Sequence, residues 1–444
     1  MTSARNRELL ALVPVALLLT AGFAAVFSQE NDQVDNLSLI YGAYFLAICL
    51  ATHVYLRIRL PNADPYLFPL VATLTAFGLV MIYRIDETLA RDQANWFVLG
   101  LILFALTIQF LRDYEVLERY RYTIAIAGLA VLLAPRVPGI GQQVNGAYLG
   151  VKVGPLAFQP AEFTKIAIIV FLASYLREHR EVLIVGARRV LGVTLPPLKH
   201  FGPLLVVWGA SMFMLVFIRD LGSSLMFFAA FLALLYVATG RFSFVVIGMA
   251  MFLVGAWFFA ATVPHVHDRV EIWLHPYNEP QGNGYQILQS IFAQADGGLF
   301  GKGFGESLIT VPGTDNALLP AAQTDTIYSL IVNEVGLFGA VGVVLVYLLI
   351  TARGFKIALL ASDGFSKLLA VGLSSVFAIQ AFVIIGGVTR VIPLTGVTLP
   401  LISYGGSSIV ANFVLLALLL LVSDRARREA QEPAGRLAAM GSPA

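Results

Sequence analysis

Long apolar runs alternate with short polar connectors from residue 8 to residue 423. A helix rises 1.5 Å per residue, so about 20 apolar residues cross the ~30 Å hydrocarbon core of a bilayer. The pattern predicts helical spans at 8–27, 37–56, 66–83, 94–111, 122–134, 161–176, 202–217, 223–239, 242–262, 335–352, 367–388 and 407–423. The expected fold is therefore an all-α polytopic membrane protein of about twelve transmembrane helices, the run at 122–134 being the shortest. No series of alternating ten-residue segments suggests a barrel.

One long polar insertion, 263–325, breaks this rhythm. It carries Trp273, Tyr277, Tyr285, Phe292 and Phe304, aromatics that are scarce in segments unable to bury themselves. Glycines and prolines punctuate it from Pro276 to Gly305, setting turns at short intervals. The insertion reads as an ordered lid over a site formed by the membrane part.

Composition supports the membrane class, with 58% hydrophobic and 13% charged residues. The net charge of +2 comes with no basic stripe for nucleic acid, and the single cysteine excludes a disulfide framework. Arg5 and Arg7 before the first run imitate a signal peptide, but the run has spanning length and further spans follow, so it is read as a retained signal anchor. Most Lys and Arg near the span ends, including Arg57, Arg112, Arg177, Arg241, Lys356 and Arg425, fall on one side if the N-terminus is cytoplasmic. Both termini are then cytoplasmic, the insertion lies outside, and 425–444 is a cytoplasmic tail.

Several constellations admit two readings. Glu162 and Lys165 open the sixth span, either as an ion pair at a helix start or as the lining of a cavity. Asp325, Ser329 and Asn333, with Glu334 alongside, form a polar stripe into the tenth span; such a stripe lines a wet cavity or joins helices by hydrogen bonds, and Asp325 is assigned to the cavity. After Arg390, prolines and glycines from Pro393 to Gly406 forbid a continuous helix, leaving a broken segment or an external loop. His265 and His267 are an interfacial polar pair or two metal ligands lacking a third. No nucleotide phosphate loop, HExxH or CxxC motif occurs.

Four stretches, NGAYLGVKVGPLAFQPAEFTK, RDLGSSL, NEPQGNGYQILQSIFAQADGGLFGKGFGES and PLTGVTLPLISYGGSS, occur in this order across residues 66–424. Together they resemble the SEDS family of shape, elongation, division and sporulation proteins, nearer to its actinobacterial RodA type than to FtsW. The resemblance divides the chain into two additional N-terminal helices at 1–65, a membrane core at 66–424 with its extracellular loop at 263–325, and the tail. It implies a peptidoglycan glycosyltransferase of the bacterial cytoplasmic membrane that polymerises lipid II, partnered by a class B penicillin-binding protein.

The resemblance also implies site residues. The family places an acidic residue, usually Asp, before the Pro that precedes the GYQ turn, and here that residue is Glu279, the catalytic base. The extra methylene shifts the carboxylate by about an ångström, a displacement that can cost about a hundredfold. Where family members often carry Arg and Trp after NGA, this chain has Tyr148, Leu149 and Gly150, and Lys152 is the nearby cation. A lipid diphosphate leaves without a general acid but needs cations, for which Lys152, Lys165, Lys302 and Arg390 are the candidates. Gln286, Gln289 and Ser290 would hold sugar or peptide amides, Gln289 serving alternatively as a helix cap. Asp325, Ser403 and Tyr404 would complete the substrate site, with the lipid tail between spans. No soluble cofactor is required, and a divalent cation at the diphosphate is left open without a ligand cluster. The alternatives are a lipid II flippase, for which paired broken helices are missing, and a non-catalytic scaffold.

Overall fold

The computed structural model describes residues 4–30, 37–144, 147–153, 156–185, 188–190, 193–195, 209, 220–310 and 317–440. Its helices are α1 (Ala4–Glu30), α2 (Leu37–Arg59), α3 (Leu67–Ile85), α4 (Glu87–Phe110), α5 (Val116–Arg119), α6 (Arg121–Leu133), α7 (Pro160–Val185), α8 (Leu221–Thr239), α9 (Phe242–Thr262), α10 (Pro264–Leu274), α11 (Tyr285–Gly297), α12 (Ile327–Leu360), α13 (Gly364–Val388) and α14 (Gly406–Met440). Among the described residues, nine helices are long and apolar enough to cross a membrane. They account for nine of the twelve expected spans. Of the others, 122–134 coincides with the 13-residue α6, which at ~20 Å is shorter than the hydrocarbon core. The run 161–176 lies inside the 26-residue α7, and 202–217 falls outside the described residues apart from 209.

Burial sorts the helices by depth. α14 is buried nearly all round from Ile409 to Val422 and packs on α4 and α12, as expected of an apolar helix without a polar face at the centre of a bundle. α9 is as apolar but buries only Phe244, so it forms the periphery. α13 packs against α7, α8 and α12.

An element absent from the all-helical expectation is the antiparallel sheet β1 (Gly141–Val144), β2 (Ala147–Val153) and β3 (Leu156–Phe158). The alternation Leu149, Val151, Val153 in β2 is a period-2 signal overshadowed by the apolar runs on either side. A second two-stranded hairpin joins Arg188–Val190 to Val193–Leu195.

Within the insertion, α10, a 3-10 turn at Pro276–Asn278 and α11 are connected by glycine turns. Its second half is spliced into a break in α12 at Gly336, whose φ is +69°. Lys302 N–H donates to the Asn333 carbonyl at 2.9 Å and Gly303 N–H to that of Glu334 at 3.0 Å. In return, Leu337 and Phe338 N–H donate to Gly298 and Leu299 carbonyls. A Cβ at Gly336 or Gly301 would collide with the opposing backbone, so the glycine-rich run is required by this close approach. Buried Glu334 pairs with Arg84 Nε at 3.2 Å, and Arg84 Nη2 also donates to the carbonyls of Gly305 and Ser307. The stripe from Ser329 to Glu334 thus joins elements: Ser329 accepts from Gln294, and Asn333 donates to the Ala293 carbonyl.

Candidate active site

At the lid end of the bundle, the broken segment between α13 and α14 opens a polar cavity of about 670 Å³. Asp325 and Tyr404 line it, as do Asp92, Asp220 and Arg269. Each is placed by a local structural cause. Asp325 sits at the entrance of α12, after a turn in which Ala321 adopts φ +54°. Asp220 caps α8, accepting from Ser223 N–H at 2.9 Å and from the Ser223 hydroxyl at 2.5 Å. Arg269, on α10, donates to the Leu394 carbonyl at 2.9 Å.

Burial raises the Asp325 carboxyl to about 6, opposed by the Arg269 charge and by a hydrogen bond from Thr324. The same desolvation lowers Arg269 and raises Asp220. Two further hydroxyls of the cavity, those of Thr395 and Thr398, have buried oxygens without a hydrogen-bond partner among the described residues. A buried hydroxyl left unpaired costs free energy, so these groups are available to an occupant.

The broken segment is held open by unusual backbone. Arg390 and Leu401 adopt φ of +61° and +70°, conformations that non-glycine residues rarely take. Ala321, with φ +54°, lines the cavity itself, while Arg390 and Leu401 lie within or at the start of the segment that forms one wall, and strain of this kind concentrates at functional sites. Ser403 braces the segment: its hydroxyl donates to the Thr324 carbonyl at 2.7 Å and accepts from Leu399 N–H at 2.9 Å. Tyr404 N–H donates to the Gln323 carbonyl at 2.8 Å, tying the segment to the turn that carries Asp325.

The other candidates are distributed around this cavity. Lys165 is fully buried, its ammonium donating to Glu162 at 2.5 Å, Gln380 at 2.7 Å and Asn412 at 3.5 Å. Gln380 in turn donates to Glu162 and to the Thr398 carbonyl, both at 3.0 Å. Lys165 therefore supports the cavity wall through Gln380 and does not line it. Arg390 is likewise engaged with backbone, donating to the Trp273 and Leu274 carbonyls at 2.8 Å each, while Trp273 donates to the Arg390 carbonyl at 3.1 Å. These bonds fasten the end of α10 to the end of α13.

Glu279 follows that fastening on an exposed turn, accepting from the Asn283 amide at 2.9 Å, with its carbonyl receiving Gly282 and Gly284 N–H. It does not line the polar cavity. Gln289 and Lys302 line a separate recess of about 510 Å³ beside α11, where Lys302 is paired with Asp296. Gln286 is half-buried, and Ser290 is fully buried with a hydroxyl that has no partner among the described residues. Lys152 is exposed on β2, two residues beyond the cavity-lining Gly150. His267 Nδ1–H donates to the Ala260 carbonyl at 3.1 Å, and the His265 side chain lies outside the described residues. Sequence reasoning missed Arg269, Asp220, Thr395 and Thr398. Asp220 stood in the quoted RDLGSSL stretch and the threonines in PLTGVTLPL, whereas Arg269 carried no local signal.

Comparison with known proteins adds an independent line. The family model described as cell cycle protein, FTSW_RODA_SPOVE, matches residues 65–428. The peptidoglycan glycosyltransferase RodA of Mycobacterium tuberculosis is 40% identical over 435 residues, 96% of this chain and 91% of the relative. Stage V sporulation protein E of Bacillus subtilis is 32% identical over 82% of this chain and 98% of its own. Among solved structures, one described as showing structural coordination of polymerization and crosslinking by a peptidoglycan synthase complex matches with TM-score 0.65 at 28% identity, covering 82% of this chain and 98% of that one. The rod shape determining protein RodA of Thermus thermophilus matches with TM-score 0.58 at 26% identity, covering 82% and 97%.

Proposed function

The chain belongs to the FtsW, RodA and SpoVE family of cell cycle proteins, and from that premise we infer that it is a peptidoglycan glycosyltransferase polymerising lipid II. It is a multi-pass membrane protein, nearest in type to actinobacterial RodA. The observation that carries the reading to a site is the polar cavity in the broken segment, with its unpaired Thr395 and Thr398 hydroxyls, beside which Arg269 and Arg390 anchor the loop bearing Glu279.

In the proposed reaction the acceptor hydroxyl forms the new glycosidic bond while the donor sugar separates from its lipid diphosphate. The hydroxyl proton passes to Glu279, whose exposed carboxylate is free to meet an incoming sugar. Charge developing on the diphosphate needs preorganised cations, and Arg269 in the cavity with Lys152 at its rim supplies them. Asp325, Tyr404 and the two threonines orient polar groups of the substrate, Ser403 and Lys165 hold that wall, and Gln286, Gln289 and Lys302 bind the peptide side along α11, whereas Ser290 is enclosed beneath it. The described residues hold no set of three His, Cys, Asp or Glu side chains fit for a metal ion, so a divalent cation at the diphosphate would be held chiefly by the substrate's own phosphates. The insertion faces the outside with both termini cytoplasmic, and the partner is a class B penicillin-binding protein. A relative's solved complex couples polymerization with crosslinking, which supports that pairing.

The test is glycan formation from labelled lipid II by the purified protein, with and without the transpeptidase, comparing the parent with Glu279→Ala and Glu279→Gln. Loss of about a hundredfold or more at unchanged thermal stability is expected. Unchanged polymer would remove Glu279 from the reaction and transfer the base to Asp325 or to Glu271 on α10, which accepts from the Asn278 amide at 3.1 Å. Lipid movement without polymer from the parent would leave the flippase.

A further inference from the structure

At the opposite end of the bundle from the lid, the ends of α2, α4 and α14 enclose a second polar pocket of about 400 Å³. Four arginines line it: Arg59 closing α2, Arg112 just beyond α4, and Arg425 and Arg428 on α14. Arg425 is already neutralised by Glu429 at 2.8 Å and Glu115 at 2.7 Å. Arg59, Arg112 and Arg428 form no ion pair or hydrogen bond through their side chains among the described residues. The remaining acids of the pocket are Asp113, which is exposed, and Asp424, whose carboxylate accepts from Asn62 N–H at 2.8 Å.

Among the lining residues four guanidiniums face the three carboxylates of Asp113, Asp424 and Glu429, with Asp424 acting on Arg428, so the recess keeps an excess of positive charge that an anion would balance. The surroundings indicate which anion. In the turns of α2 and α4 that lead to Arg59 and Arg112, α2 exposes Val54 and Ile58 and α4 exposes Leu106 and Phe110, with Ile58 at 71% and Phe110 at 78% accessibility. The Tyr55 hydroxyl donates to the Ala105 carbonyl at 2.8 Å and holds the two helices side by side. A cationic recess at the foot of apolar, membrane-facing helix walls fits a molecule with a phosphate head and hydrocarbon tails. Guanidinium groups suit it because they bind phosphate oxygens in pairs.

We propose that this pocket binds the headgroup of an anionic phospholipid, with one or two phosphodiesters among Arg59, Arg112 and Arg428 and acyl chains along α2 and α4. A free phosphate would use the same arginines but would gain nothing from the apolar walls. The lipid bridges α2, which lies outside the family-matched residues 65–428, to α4 and α14 of the core. It therefore acts as a clamp for the two N-terminal helices.

The experiment uses the delipidated full-length protein in detergent, measuring thermal unfolding and lipid retention by native mass spectrometry. The probes are cardiolipin, phosphatidylcholine and inorganic phosphate. Cardiolipin should raise the Tm by a few degrees and remain bound, while phosphatidylcholine and phosphate should do neither. Arg59→Gln with Arg112→Gln should weaken cardiolipin binding about tenfold or more and abolish the shift, whereas the exposed Arg119→Gln should retain both. If the double variant does not fold, Arg428→Gln alone gives the same comparison. Equal shifts with phosphatidylcholine, or an undiminished response in the variants, would overturn the proposal. A shift with phosphate alone would replace the lipid with a soluble anion.

Discussion

At the scale of single residues, Asp325 differs from the solvated carboxylates of the lid by being both enclosed and opposed by one arginine. Its carboxyl is raised from the ordinary 3.8 to about 6. Between those values the folded protein binds more protons than the unfolded chain, so this group's contribution to stability is present at low pH and is lost as the pH rises through about 6. The thermal stability of the parent should therefore fall across that window relative to Asp325→Asn. If the ionised form orients substrate, polymerisation should also show an acidic limb near pH 6 that the Asn variant lacks. A limb unchanged by the substitution would place its origin elsewhere. Glu279 contrasts with this residue, since its exposure means that replacement should affect chemistry without affecting stability. The polar stripe assigned Asp325 to a cavity and the resemblance singled out Glu279, but only the tertiary structure separated the enclosed carboxylate from the exposed one.

At the scale of elements, helix positions follow from hydrophobic run length, but their functions depend on what faces them. Lys165 admitted two sequence readings, and its ammonium is now seen to be saturated by Glu162, Gln380 and Asn412 from three helices. Lys165→Met leaves the Glu162 carboxylate buried without its cation, which should cost about 3–5 kcal/mol in thermal or chaotrope unfolding. The double variant Lys165→Met with Glu162→Gln should recover much of that loss. Equal destabilisation in both would mean that the pair is not the stabilising unit. The polar stripe in α12 behaves similarly, with Ser329, Asn333 and Glu334 joining α11, α3 and the glycine-rich run. The glycines of that run were legible as turn formers, but their need for φ above zero and for backbone contact at Gly336 depended on a helix about thirty residues away.

At the scale of the whole molecule, a buried ionic cluster joins the N-terminal helices to the end of α14. Arg5 donates to Glu8 and to the Ala63 carbonyl, Glu8 accepts from or shares a proton with His53 at 2.8 Å, and Asp64 pairs with Arg427 and with Arg353 at 3.5 Å. The cluster places both chain ends at one end of the bundle, opposite the lid. In the proposed orientation, which follows the distribution of positive charge, that end is cytoplasmic. In intact cells a membrane-impermeant maleimide should label Phe300→Cys in the lid, while Arg119→Cys should react only after lysis. The buried Cys49 leaves the background low. Labelling of Arg119→Cys alone in intact cells would reverse the topology.

The sequence by itself determined the membrane class, the positions of most spans, the folded insertion and the family, because these depend on run length, residue type and ordered motifs. Tertiary structure decided which polar groups share a space. It gathered Asp220, Arg269, Asp325, Thr395 and Tyr404 from four separate stretches into one cavity, enclosed Lys165, and committed Arg390 to backbone. It also formed the small sheet from a stretch whose alternation is too short to compete with neighbouring apolar runs. The physical reason is that hydrophobic burial is read locally along the chain, whereas desolvation and hydrogen-bond satisfaction depend on neighbours distant in sequence.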